Sequence, residues 1–71
     1  IMRENITNSV YQLRKDKGVT QEELAQTIGI SRQTVVAIEK GNYVPSLLLG
    51  LKIAKFFNKK IEEIFKLTYE K

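Results

Sequence analysis

Residues 20 to 41, TQEELAQTIGISRQTVVAIEKG, space their apolar side chains for two short helices around one glycine, and that spacing prescribes the angle at which the helices cross. Thr20 followed three residues later by Glu23 is a capping box, in which hydroxyl and carboxylate satisfy the free amides that open a helix. Leu24 and Ile28 lie four apart and share a face, while Ala25 is small enough to let a second helix cross closely. Gly29 can take the left-handed conformation that ends a helix, and Ser31 is placed to cap the next one. That second helix should run to about Lys40, turn Val35 and Ile38 inward and stop at Gly41. Arg32, Gln33, Val36 and Ala37 are left facing out.

The flanks read as helical as well. Ile6, Val10 and Leu13 recur at spacings of four and three, which predicts a first helix from about Asn5 to Lys17, ended by Gly18. Asn42 to Pro45 is turn-like, and Ser46 behind that proline can cap a fourth helix that closes near Asn58. A short last helix from about Ile61 to Lys66 would set Ile61, Ile64 and Phe65 on one side, with a loose tail after about Leu67. The expected fold is all-α, five helices in a single domain over 1–71, with no strand and no internal repeat.

Seventy-one residues give a core so limited that stability is marginal or shared with a partner, so dimerisation would help. With no cysteine and no histidine, no disulfide, metal site or cofactor site is expected, and no nucleophile and base pair points to an enzyme. The longest apolar stretch, around Leu47 to Leu51, is far short of a membrane span, and no secretion leader is recognisable, so the chain reads as cytoplasmic. Ile1 ahead of Met2 reads as an addition before a natural start. Twelve basic against eight acidic side chains leave a net charge of +4, enough to favour a polyanion but ordinary for a soluble protein. The excess sits outside residues 20–41, at Lys15 and Lys17 before them and at Lys52, Lys55, Lys59 and Lys60 after them. These lysines either reach phosphates or form solvated helix faces.

Taken with its flanks, the segment resembles the helix-turn-helix of phage-repressor-type regulators, the Cro/repressor or XRE family. The similarity runs from about Ile6 to Phe65 and includes LRKDKGVTQEELA, the IEKG that closes the second helix of the pair, the PSL that opens the next, and IEEIF. It implies a phage-repressor-like DNA-binding domain whose recognition helix, opened by Arg32 and Gln33, enters the major groove of double-stranded DNA. Arginine suits guanine and glutamine suits adenine, because each can form two hydrogen bonds to one base edge, although Arg32 could instead hold a phosphate. Ala37 falls where the family has a small groove-facing residue, and Val36 is either a thymine contact or an ordinary exposed side chain. Gln21 resembles the family's phosphate-donating glutamine, with a plain helix start as the alternative. Lys40, Asn42 and Tyr43 fall where relatives grip the backbone, Tyr43 with half-burial in the core as the alternative; Thr34 falls at a phosphate or base neighbour, and Ser31 adds a phosphate contact to its capping role. Arg14 and Glu39 match a family pair that holds the recognition helix in place, with two unrelated surface charges as the alternative.

The sequence also departs from the family pattern. Leu48 and Leu49 stand where relatives commonly carry polar residues, which suggests either a partner surface or a rotated, more deeply buried helix. Gly50 replaces a larger apolar residue, for which the close approach of another backbone would be one reason, and Lys60 replaces the usual serine or aspartate cap. One such domain covers few base pairs, so the resemblance implies a homodimer on an inverted repeat. The function it implies is a sequence-specific transcription regulator, most often a repressor. The alternative is a DNA-binding antitoxin or small adaptor that holds a protein partner through the fourth helix.

Overall fold

The computed structural model describes residues 3–70; the expectation about Ile1 lies outside them. The element order is β1 (Arg3–Asn8), α1 (Val10–Lys17), α2 (Gln21–Ile28), α3 (Arg32–Glu39), α4 (Leu47–Phe57), α5 (Ile61–Ile64) and β2 (Phe65–Glu70). The five helices are present, but the fold is not all-α. The two ends of the chain pair as an antiparallel two-stranded sheet, with Ile6 opposite Leu67 and Asn8 opposite Phe65.

This sheet corrects three expectations together. The first helix begins at Val10 rather than Asn5, the last ends at Ile64 rather than Lys66, and residues 67–70 belong to a strand rather than a loose tail. The signal was the alternation of Phe65, Leu67 and Tyr69, which places three apolar side chains on one face of a strand. Ile6, four residues before Val10, mimics a helical stripe but faces Leu67 across the sheet instead. The strand junction is bonded to its surroundings, since the Ser9 amide donates to the Ile64 carbonyl at 3.0 Å.

Among the described residues, ten buried apolar side chains form the core. Val10 comes from α1, Leu24, Ala25 and Ile28 from α2, Val35 and Ile38 from α3, Leu49, Ile53 and Ala54 from α4, and Ile64 from α5. Leu24 and Val35 are each 1% exposed, so the inward faces of the helical pair are those that the spacing implied. Leu48 and Leu49 separate: Leu49 is buried, which removes it from any partner surface, while Leu48 is two-thirds exposed.

Gly50 is explained by α5. A Cβ there would lie 3.0 Å from Ile61 Cδ1, so the missing side chain lets that isoleucine seat against α4. The neighbour is a side chain and not the backbone that the sequence suggested. Lys60 offers no acceptor to cap α5, and Glu63 supplies half of a cap by accepting the Lys60 amide at 2.8 Å. Asn58 ends α4 where the sequence closed it, and does so in the left-handed conformation at φ 53°.

Candidate nucleic-acid interface

Two capped helices and one left-handed glycine create the site. Thr20 Oγ1 accepts the Glu23 amide and Glu23 Oε1 accepts the Thr20 amide, both at 3.0 Å, so α2 starts in a complete capping box. The bond from the Thr20 amide foremost, and the neighbouring Thr20 hydroxyl after it, hold the Glu23 carboxyl below the ordinary range. Gly29, at φ 80°, reverses the chain, and its amide and that of Ile30 both donate to the Ala25 carbonyl. An L side chain is strained at that φ, so the glycine makes the turn cheap. Ser31 Oγ then accepts the Thr34 amide at 3.1 Å and α3 begins.

Behind α3 a polar clamp sets its orientation. Arg14 Nε donates to Glu39 Oε2 at 2.6 Å, Nη2 donates to Oε1 at 3.2 Å, and Nη1 donates to the Val19 carbonyl at 2.9 Å. The two side chains are 9% and 4% exposed, so the pair sits where solvent screens it little. The hydrogen bond to Glu39 raises the arginine pKa against the opposing effect of burial, so the guanidinium stays charged. One side chain thereby joins α1, the approach to α2, and the last residue of α3. A two-toothed arginine fork on a carboxylate defines direction as well as distance.

Two further residues complete this clamp. Gln21 Nε2 donates to Glu39 Oε1 at 3.1 Å, so the amide nitrogen expected to face a phosphate is engaged inward. Asn8 was missed by the sequence reading. Its Nδ2 donates to the Ile38 carbonyl at 2.9 Å, while its Oδ1 accepts the Val10 amide at 3.1 Å. It caps α1 and grips the end of α3 at once. An asparagine and a serine directly before an apolar run are a helix-start signal, which the spacing from Ile6 obscured.

The outward side of α3 is sparse and polar. Arg32 and Gln33 are exposed, and among the described residues neither side chain has a hydrogen bond or an ion pair. Arg32 opens on a shallow depression that it shares with Lys15, Thr20, Gln21 and Glu22 at the start of α2. Val36 and Ala37, expected to face fully outward, are half-buried, whereas Lys40, Asn42 and Tyr43 are exposed beyond the helix end. Ser31 and Thr34 hold each other, their hydroxyl oxygens 2.9 Å apart. The later lysines lie apart from this surface. Lys52 and Lys55 border a depression with Thr27 and Phe56, and Lys59 and Lys60 border another with Glu63; no residue of α3 lines either.

Three groups of metal-binding type come together nowhere among the described residues, and no helix there is long and apolar enough to cross a membrane. What the geometry offers is a short helix, braced from inside, whose first turn presents a guanidinium and a carboxamide to solvent.

Known proteins share both the sequence and the fold. The helix-turn-helix family profile matches residues 10–64. The chain is 57% identical over 63 residues to the uncharacterized HTH-type transcriptional regulator YgzD of Bacillus subtilis, covering 89% of this chain and 96% of that one. It is 36% identical over 58 residues to the cryptic phage CTXphi transcriptional repressor RstR of Vibrio cholerae, covering 82% of this chain and 52% of the repressor. The crystal structure of the transcriptional regulator VanUg has the same fold, with a TM-score of 0.74 at 24% identity over 94% of this chain and 89% of that one. A Bacteroides fragilis crystal structure does too, with a TM-score of 0.78 at 23% identity over 86% of this chain and 98% of its own. With the capped helices, the turn and the Arg14–Glu39 pair within the matched segment, the chain belongs to the helix-turn-helix family of transcriptional regulators.

Proposed function

We propose that this regulator represses transcription by occupying operator DNA as a homodimer on an inverted repeat, with α3 in the major groove. The observation that carries the reading is the pair Arg32 and Gln33, exposed and uncommitted on the first turn of a helix whose other side is clamped. In this docking geometry the start of the recognition helix meets base edges. Arg32 is assigned to guanine and Gln33 to adenine, with Ala37 and the partly covered Val36 beside them as apolar neighbours for thymine methyl groups.

Backbone contacts are assigned to Ser31, Thr34, Lys40, Asn42 and Tyr43, which border the same surface. Gln21 contributes through its carboxamide position beside Glu39, as a brace for the reading surface as much as a phosphate donor. The phage repressor among the relatives favours repression over activation.

Random-site selection with the purified chain, followed by binding of single variants, tests this. Arg32→Ala and Gln33→Ala should each relax preference at one defined base pair by about 1 to 3 kcal/mol. Lys40→Ala should weaken all sequences about equally and reduce the slope of log affinity against log salt by about 1. Failure of the wild-type chain to prefer any duplex in dilute buffer would remove the reading.

A further inference from the structure

The sheet and the start of α4 leave a large apolar surface uncovered. Ile6 pairs with Leu67 and Glu4 with Tyr69, and cross-strand partners share a face, so Ile6, Leu67 and Tyr69 lie together on one side of the sheet. They are 39%, 57% and 56% exposed. That side continues into a groove of about 190 Å³ in which Ile6 meets Phe65, Val44, Leu47 and Ile61. Leu51, one turn after Leu47, extends the stripe along α4. Leu48 lies about 100° around α4 from Leu47, on the row that continues to Lys52.

We infer that this face, formed by Ile6, Val44, Leu47, Leu51, Leu67 and Tyr69, is the surface on which a second copy of this chain docks. Area is the first argument. At roughly 150 to 200 Å² for a fully exposed large side chain, the six exposures amount to about 600 Å² per copy, close to the ~800 Å² each partner gives to a stable interface. That is the upper end of what a monomer leaves open as one apolar patch, about 300 to 600 Å², and patches of that size are often functional. Charge is the second argument. Each copy carries +4, so association favours a patch without cations, and Glu4 is the charged residue of the described sheet that shares this face. An apolar face with its own groove is also self-complementary about a two-fold axis, since each copy can set Leu47, 72% exposed, against the other's groove.

Position is the third argument. The sheet joins α3 at its far end, through Asn8 and the Ile38 carbonyl, whereas Arg32 and Gln33 stand at the near end of that helix. Eight residues of helix separate the ends by roughly 12 Å, so a docked copy leaves the reading residues open. The inference deepens the homodimer reading above, but its primary test involves no DNA.

Sedimentation equilibrium of the full chain in the micromolar range should show a dimer. Leu47→Glu and, separately, Leu67→Thr should shift it to monomer with the helical circular dichroism retained, and Leu48→Glu should leave it a dimer. If Leu47→Glu fails to fold, Leu67→Thr decides, because threonine keeps the strand preference. A wild-type chain that stays monomeric, a dimer that survives both patch variants, or a Leu48→Glu variant that dissociates as fully would each overturn the assignment. On DNA, Leu47→Glu should lose about a hundredfold on a duplex with two half-sites while keeping wild-type affinity for one half-site. A dimer that binds neither duplex would leave the interface standing and remove the operator reading instead.

Discussion

Replacing Glu39 by alanine removes the acceptor for three hydrogen bonds, two from Arg14 and one from Gln21, and leaves a guanidinium that is nine-tenths covered with the Val19 carbonyl as its remaining partner. Breaking a buried pair from one side typically costs 3 to 5 kcal/mol, because the surviving charge stays out of water without compensation. Arg14 is close to the surface, so the lower end, about 3 kcal/mol, applies. A chain of this length has about 4 to 10 kcal/mol of stability in total. The substitution should therefore lower the melting temperature by about 12 to 24 °C and move the urea midpoint down with little change in slope. Joint replacement, Arg14→Met with Glu39→Leu, removes both charges and should recover at least half of the loss. Urea titrations followed by circular dichroism on the two variants and the wild type provide the numbers. A loss below about 1 kcal/mol for Glu39→Ala would mean that the pair behaves as a solvent-screened surface bridge, and a double variant as unstable as the single one would mean that the orphaned charge is not the cause.

Asn8→Ala should cost about 1 to 2 kcal/mol by urea titration, since it removes the first cap of α1 and the bond to the Ile38 carbonyl together; Asn8→Asp, which keeps the cap acceptor but cannot donate, should recover part of that loss. The Glu23 carboxyl has a depressed pKa in the folded chain, so its contribution is complete above the unfolded glutamate value of about 4.3 and is lost as pH falls through the lower folded value. Melting curves across the acid range should show this limb in the wild type and a flatter one in Thr20→Ala, which removes the hydroxyl half of the box. Gly50→Ala should change stability by less than about 1 kcal/mol, because the gain in helix preference offsets the push on the flexible end of Ile61. Gly50→Leu at the same place should lose about 2 kcal/mol or more by overpacking, measured in the same titration.

Much of the proposed interface was legible in the chain because its determinants are local. The capping box at Thr20, the left-handed Gly29 and the Ser31 cap each act within three or four residues, so reading them needs no knowledge of what lies across the fold. The inward set Leu24, Ile28, Val35 and Ile38 follows from the same spacing. The partners Arg14 and Glu39, 25 residues apart, came from family resemblance, and the structure supplied their distances. Gln21 belongs to the opposite case: its position was clear, but its inward bond depends on where Glu39 comes to rest.

The ends of the molecule were decided by tertiary structure. Phe65, Leu67 and Tyr69 alternate like a strand, yet six residues with nothing to pair with remain a tail, and only the return of residues 3–8 to their side makes a sheet. The same closure recruits Ile6 from its helical spacing, shortens α1, and brings Asn8 to α3. Tertiary packing also decides which leucines of α4 are covered, since burial of Leu49 and exposure of Leu47 and Leu48 depend on the rotation of that helix against α2 and α5. By itself the sequence determined the helical pair and the face it presents, because hydrogen bonds and apolar contacts one turn apart are encoded by neighbours. The sheet, and the apolar surface it completes, rest on contacts between residues some sixty positions apart, whose geometry exists only once the helices have packed.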